Sequence, residues 1–179
     1  MPLRNALRSE TTDSHAAVDD IFSRFDLGNP RDYAAFLTAH ARILPAVEAA
    51  LEQAGIADLL PDWADRRRTD QLAADLAELG IAQPEPLEAP ALKNEAELWG
   101  TMYVIEGSKL GGALLAKSVP SNMPSRYLTP TGPKGNMKVF MDRVDAFEIE
   151  DPSEAVAAAR ATFALFRKAA EMELEPSIS

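Results

Sequence analysis

The sequence predicts an all-α fold, and three observations carry that prediction. Each apolar stripe that can be read steps by threes, fours and their sums, the period of a helix buried on one face. Gly, Pro and Asn interrupt these stripes at helix-length intervals. No stretch alternates apolar and polar positions in the way a half-buried strand requires. With 179 residues, 46% apolar and 26% charged, the chain has material for one sizeable core, so residues 1–179 read as a single domain.

The first stripe runs from Leu3 through Leu7, Val18, Ile21, Phe22 and Phe25, and Gly28-Asn29-Pro30 ends it. Asn29 is placed to cap the next helix, where Pro30 is tolerated in the first turn. That helix buries Tyr33, Phe36, Leu37, Leu44, Val47 and Leu51 and stops at Gly55. Pro45 lies inside it and should bend it, because proline lacks the amide donor and crowds the preceding turn. After a broken stretch around Leu59, Leu60, Pro61 and Trp63, Thr69 is expected to cap a helix on Leu72, Leu76 and Leu79, closed by Gly80. Residues 81–93 hold Pro84, Pro86 and Pro90 among acidic residues and read as a stiff surface connector. A long helix should run from about Asn94 to Val119. The next segment, 120–136, has four prolines and two glycines, the composition of a long or partly disordered loop. A helix near 137–147 follows. The last opens on Asp151-Pro152-Ser153-Glu154, an N-cap with Pro in the first turn and a box-like Glu. It carries Val156, Phe163, Phe166 and Met172. Six to eight helices are expected, with a tail from about 174 that is expected to be disordered.

Charge and composition remove several function classes. A net charge of −10 sets the chain against a nucleic-acid backbone or an anionic membrane surface. The absence of cysteine excludes disulfides, thiolate zinc sites, iron–sulfur clusters and cysteine nucleophiles. Neither a signal peptide nor a run of about 18 apolar residues is legible, so the expected address is the cytoplasm. The run Arg66-Arg67-Arg68 reads as a solvated helix face.

Two features could carry chemistry. The chain has two histidines, His15 and His40, both on helical stripes. Stepping about 100° per residue from Leu7 puts His15 at the edge of its apolar face. His40 lies nearer the middle of its own, between Phe36, Leu37 and Leu44. Periodicity allows either to be an interior histidine or to offer a ring nitrogen to a metal, and it does not choose. The long helix contains Gly100, Gly107, Gly111 and Gly112, although each helical glycine costs ~1 kcal/mol relative to Ala. Gly100, Gly107 and Gly111 share one face, a strip of bare backbone that admits either another helix or a flat ligand.

Both segments resemble the heme oxygenase family. Leu7-Arg8-Ser9-Glu10-Thr11-Thr12-Asp13-Ser14-His15 is similar to the family's proximal-helix signature, in which the axial histidine follows a Thr by four residues. The run from Tyr103 to Gly112, Tyr-Val-Ile-Glu-Gly-Ser-Lys-Leu-Gly-Gly, resembles the kinked distal helix of the bacterial, phytochrome-associated branch. The resemblance implies a helical bundle with heme held between these two helices, as substrate and cofactor. It implies oxidation by O₂ with electrons from an external donor, a reductase or ferredoxin, to biliverdin, Fe²⁺ and CO. A phytochrome is an implied recipient of the biliverdin. By this resemblance His15 is the iron ligand and His40 an ordinary second-helix residue. Arg8, Thr11, Met102 and Tyr103 become heme contacts, joined by the backbone of Gly107, Gly111 and Gly112. Gly107, Ser108 and Gly111 become the catalytic wall. Ser108 stands where many members carry an Asp that organises distal waters, and Met102 where a family Tyr meets a propionate. A non-catalytic heme-binding or heme-delivery protein on the same fold is the alternative. A helical interaction module without heme is a further one.

Overall fold

A computed structural model describes residues 2–130 and 132–174. Among them there are ten α-helices, one 3₁₀ turn and no strand. In chain order they are α1 (Leu3–Glu10), α2 (Thr12–Phe22), α3 (Pro30–Ala41), α4 (Leu44–Gln53), α5 (Ile56–Leu59), α6 (Trp63–Arg66), α7 (Thr69–Glu78), α8 (Glu95–Leu115), α9 (Asn136–Ala146) and α10 (Ser153–Leu174). One apolar cluster from Leu3 to Ala170 joins them. The long helices α8 and α10 lie against each other, and α10 also packs on α2 and α3. The tail expected to be disordered falls, beyond Leu174, outside the described residues.

Two expected helices are interrupted. The first breaks at Thr11, whose φ of −115° and ψ of 11° leave the helical region. Both its amide N–H and its hydroxyl donate to the Leu7 carbonyl, the hydroxyl at 2.5 Å. That local bond competes with helix continuation, so α2 sets off in its own direction and carries His15. The second breaks at Arg42-Ile43 and does not merely bend. Pro45 then falls within the first turn of α4, where its missing donor is not needed. Among the described residues, Pro30–Gln53 is apolar and long enough to cross a membrane, but this break divides it and more than half of its most apolar stretch is buried.

Other boundaries follow the sequence closely. The Asn29 side chain accepts from Arg31 N and Asp32 N, and Asn94 caps α8 by accepting from Glu97 N. Residues 81–93 form no regular element, and Leu87 N pins them by donating to the Arg42 carbonyl at 2.7 Å. The α7 cap differs from expectation. Thr69 is the first helical residue, and the acceptor is Glu48 of α4, which takes Thr69 N at 3.0 Å, the Thr69 hydroxyl at 2.5 Å and Arg68 N at 2.8 Å. A carboxylate at a helix N-terminus also complements the helix dipole. Among the described residues between α8 and α9 there is no α-helix, but the stretch is anchored: Tyr127 and Leu128 are buried.

The arginine run is corrected outright. Arg66 and Arg68 are buried, with 1% and 6% of their surface exposed. Arg66 donates to Asp62 at 2.9 Å, to Glu106 at 3.0 Å and to the Asn136 carbonyl at 2.9 Å. Burial of a guanidinium is tolerated where carboxylates and carbonyls complete its donor set in this way.

Candidate active site

A cavity of about 250 Å³ opens between α2, α8 and α10. His15 stands at its edge on α2, with 61% of its side chain exposed, and its Nε2 lies 3.3 Å from Asp19 Oδ2 one helical turn on. The imidazole stacks on Phe163 of α10, with ring centres 5.5 Å apart and planes 18° from parallel. Across the cavity is the bare backbone of α8. A Cβ built on Gly107 or Gly111 would meet nothing within 4 Å, whereas one on Gly112 would touch Leu128 at 3.3 Å. The glycine strip therefore divides. At Gly100 the same atom would lie 2.0 Å from the Ala155 carbonyl oxygen of α10, so that glycine serves helix packing. Leu110, exposed, also lines the cavity, and Leu114 is exposed one turn further along α8.

The inner wall is polar on one side. His40 is buried there, and its Nδ1 lies 2.5 Å from the Tyr127 hydroxyl. Burial, with Arg68 close by, pushes the His40 imidazole down to about 3. Burial pushes the Tyr127 hydroxyl up to about 12. Near neutral pH the hydroxyl is therefore protonated and donates to a neutral imidazole. Asp75, fully buried in α7, holds this tyrosine by accepting from Tyr127 N at 2.9 Å and Arg126 N at 3.2 Å. Arg68 Nη2 donates to Ser108 Oγ at 3.0 Å and to the Ile105 carbonyl at 3.2 Å. Ser108 Oγ in turn donates to Ile105 O at 2.7 Å.

Of the residues expected at the site, His15, Tyr103, Gly107, Ser108, Gly111 and Gly112 line the cavity. Three do not. Met102 is wholly buried on another face of α8, and Thr11 is buried at the α1–α2 break. Arg8 is exposed outside the cavity, on the side of Tyr103, whose hydroxyl feels its charge. The two histidines differ in reach: the His15 side chain is exposed at the cavity edge, and His40 is buried and bonded to the Tyr127 hydroxyl. Tyr127, Glu48 and Asp75 were not singled out from the sequence, and Arg68 was read only as part of a solvated run. The legible signal was an acid within an apolar stripe, Glu48 beside Val47 and Leu51, and Asp75 between Leu72 and Leu76, since a buried carboxylate requires partners.

The chain is 31% identical over 157 residues to a heme oxygenase of Xanthomonas campestris pv. campestris, covering 80% of this chain and 92% of that protein. It belongs to the heme oxygenase family. A second family member, heme oxygenase PigA of Pseudomonas aeruginosa, is 31% identical over 179 residues, with 92% of this chain and 90% of that protein covered. The fold agrees. The NO- and CO-bound heme oxygenase of Neisseria meningitidis superposes with a TM-score of 0.84 at 22% identity, over 100% of this chain and 95% of that one. Heme oxygenase from Leptospira interrogans gives 0.75 at 19% identity, over 95% and 98% of the two chains. No family model matches the sequence.

Proposed function

We propose that this chain is a heme-degrading enzyme that takes heme as its substrate in the cavity, with His15 as the iron ligand. The observation that carries this reading is a reachable histidine on α2 facing two glycines of α8 whose side-chain space is open. The donor set fits: a neutral imidazole is a usual axial ligand of heme iron. The ring nitrogen not used by iron needs an acceptor, and Asp19, one turn along α2, is within reach. Heme supplies the iron-centred redox chemistry, with O₂ and electrons from an external reductase or ferredoxin, and the proposed products are biliverdin, Fe²⁺ and CO.

The protein's own contribution is placement. Gly107 and Gly111 leave backbone where a side chain would fill the cavity, and Gly112 continues that wall. Ser108 offers one donor and two acceptor sites with which to orient water; a serine hydroxyl stays protonated near neutral pH and is no proton-donating acid. Arg8 and Tyr103 stand on the side suited to a propionate. Thr11 acts through the break that aims α2, and Met102 by packing α8. A cytoplasmic location and delivery of biliverdin to a phytochrome extend this reading. The relatives are named as oxygenases, and nothing observed favours the heme-delivery alternative.

The test is to add hemin and ascorbate under air and follow the visible spectrum. A histidine-ligated heme band that gives way to the biliverdin band supports the reading. A stable heme complex without product favours heme delivery, and no complex favours an interaction module.

A further inference from the structure

Over the cavity α8 needs support from behind. Gly107 and Gly111 offer no side chain there, and nothing lies within 4 Å of where one would stand. Gly107-Ser108 is also the kind of pair at which helices kink. At about 100° per residue, Glu106 and Lys109 point about 100° and about 160° away from Gly107, onto the side of α6.

Both side chains end on one residue, Arg66, the last of α6. Glu106, 1% exposed, accepts from its guanidinium at 3.0 Å. Lys109 Nζ donates to its carbonyl at 2.9 Å and lies 2.8 Å from Glu106 Oε1. The unpaired acceptors at the end of a helix favour a cation in that place. The guanidinium is itself fixed, by Asp62 and by the Asn136 carbonyl at the start of α9. Glu106 and Lys109 thus bracket Gly107-Ser108, and α8 cannot bend there relative to α6 without straining one of these bonds. Lys109 is the removable member. Loss of Arg66 or Glu106 would strand a buried charge. Lys109 has 21% of its side chain exposed, and its loss leaves the Arg66–Glu106 pair in place.

We propose that Lys109 is a positioning residue for the bare backbone at Gly107. It braces α8 against α6 in mid-span, keeps that backbone at a fixed distance from a flat ligand in the cavity, and so restricts which carbon of the ligand is oxidised. The proposal rests on the heme reading for the second of its two readouts.

The first readout is amide hydrogen exchange in the hemin-free protein, residue by residue. Lys109→Met should speed exchange at residues 107–111 by about ten- to a hundredfold, the worth of a hydrogen bond to a charged group. Amides of residues 98–102 in the same helix should change by less than about twofold, because the opening is local. Lys109→Arg, which restores charge and donors, should return exchange to within about threefold of wild type. Lys109→Gln keeps a donor without the charge; it should fall between, and it carries the test if Lys109→Met does not fold. Lys138→Met, which breaks the exposed Lys138–Asp142 pair on α9, should leave exchange in α8 unchanged. The second readout is the set of biliverdin isomers formed from hemin and ascorbate, separated by chromatography. Lys109→Met should raise the minor isomers by about threefold or more, since small misplacements redirect chemistry, and Lys109→Arg should restore the wild-type set. Failure of wild-type protein to bind hemin would count against the heme reading, and exchange would still judge the brace. Unchanged exchange at 107–111, equal acceleration along all of α8, or no recovery in Lys109→Arg overturns the brace. Identical isomers in wild type and Lys109→Met overturn its role in selecting the carbon.

Discussion

Gly100 and Gly107 lie two helical turns apart on nearly the same face of α8, and the fold uses them in opposite ways. At Gly100 the backbone of α10 has moved into the space of the missing side chain, so closely that a Cβ would meet the Ala155 carbonyl oxygen at 2.0 Å. At Gly107, and again at Gly111, that space stays open to the cavity. Each glycine sacrifices the same helix propensity, ~1 kcal/mol relative to Ala. The difference lies in what is opposite: a backbone that cannot yield, or room for a ligand. A helical face without side chains is one sequence pattern with two physical uses, and one helix here has both.

The sharpest way to break this comparison is alanine at each position. Gly100→Ala should cost about 3 kcal/mol or more, because two backbones must separate. Urea unfolding measures it, and a loss below about 1 kcal/mol would mean that α8 and α10 are not locked there.

The histidines offer the next contrast. His40→Ala should cost about 3 kcal/mol through the cavity it leaves and the buried Tyr127 hydroxyl it strands. It should still show a histidine-ligated heme spectrum. His15→Ala should leave stability near wild type, since the side chain is largely exposed, and should lose that spectrum. The reverse outcome would exchange their roles. A pH series adds a second arm. With His40 held down to about 3 when folded and near 6.5 when unfolded, the unfolded chain binds the extra proton between those values. This contribution to stability is complete above about pH 6.5 and is lost as pH falls toward 3. Subtracting the His40→Gln stability curve from wild type should isolate it.

A smaller effect of opposite sign is expected at the open end of α8. Gly107→Ala should stabilise the fold by up to ~1 kcal/mol, because nothing obstructs the methyl group. Gly107→Leu should keep the helical circular dichroism spectrum while excluding hemin, as a titration would record. Normal binding and turnover in Gly107→Leu would show that ligand does not approach this backbone. The smallest effect should come from Ser108→Ala. Arg68 keeps its bond to Ile105 O, so stability should change by about 1 kcal/mol or less. Biliverdin formation with ascorbate should stay within about twofold. A collapse of turnover with intact hemin binding would make the hydroxyl essential.

The helices were legible because their signals are local. Asn29 and Asn94 cap where they stand, and the prolines of 81–93 admit no helix. His15 was legible as a stripe-edge residue, and only the resemblance of its surroundings to a known motif separated it from His40. The interruptions at Thr11 and Ile43 were missed because either segment could have continued as helix; a threonine hydroxyl and a proline two residues on decide the matter. Arg66 and Arg68 were misread for a different reason. Charge repels burial unless partners exist, and Ile105, Glu106 and Ser108 of α8 and the Asn136 carbonyl, which meet these side chains, are remote in sequence. The inner wall of the cavity was hidden in the same way, since Tyr127 acquires its position from Asp75, far from it along the chain.

In mechanical terms α8 is a beam held at both ends. One support is where Gly100 meets Ala155, and that joint sets the register of the beam against α10. The other is near Gly112, buried beside Leu128, where Leu115 also packs on the core. Between them lies Gly107, whose side-chain space is open to the cavity. A span held at both ends keeps its distance from whatever faces it, so the two joints together set the aperture.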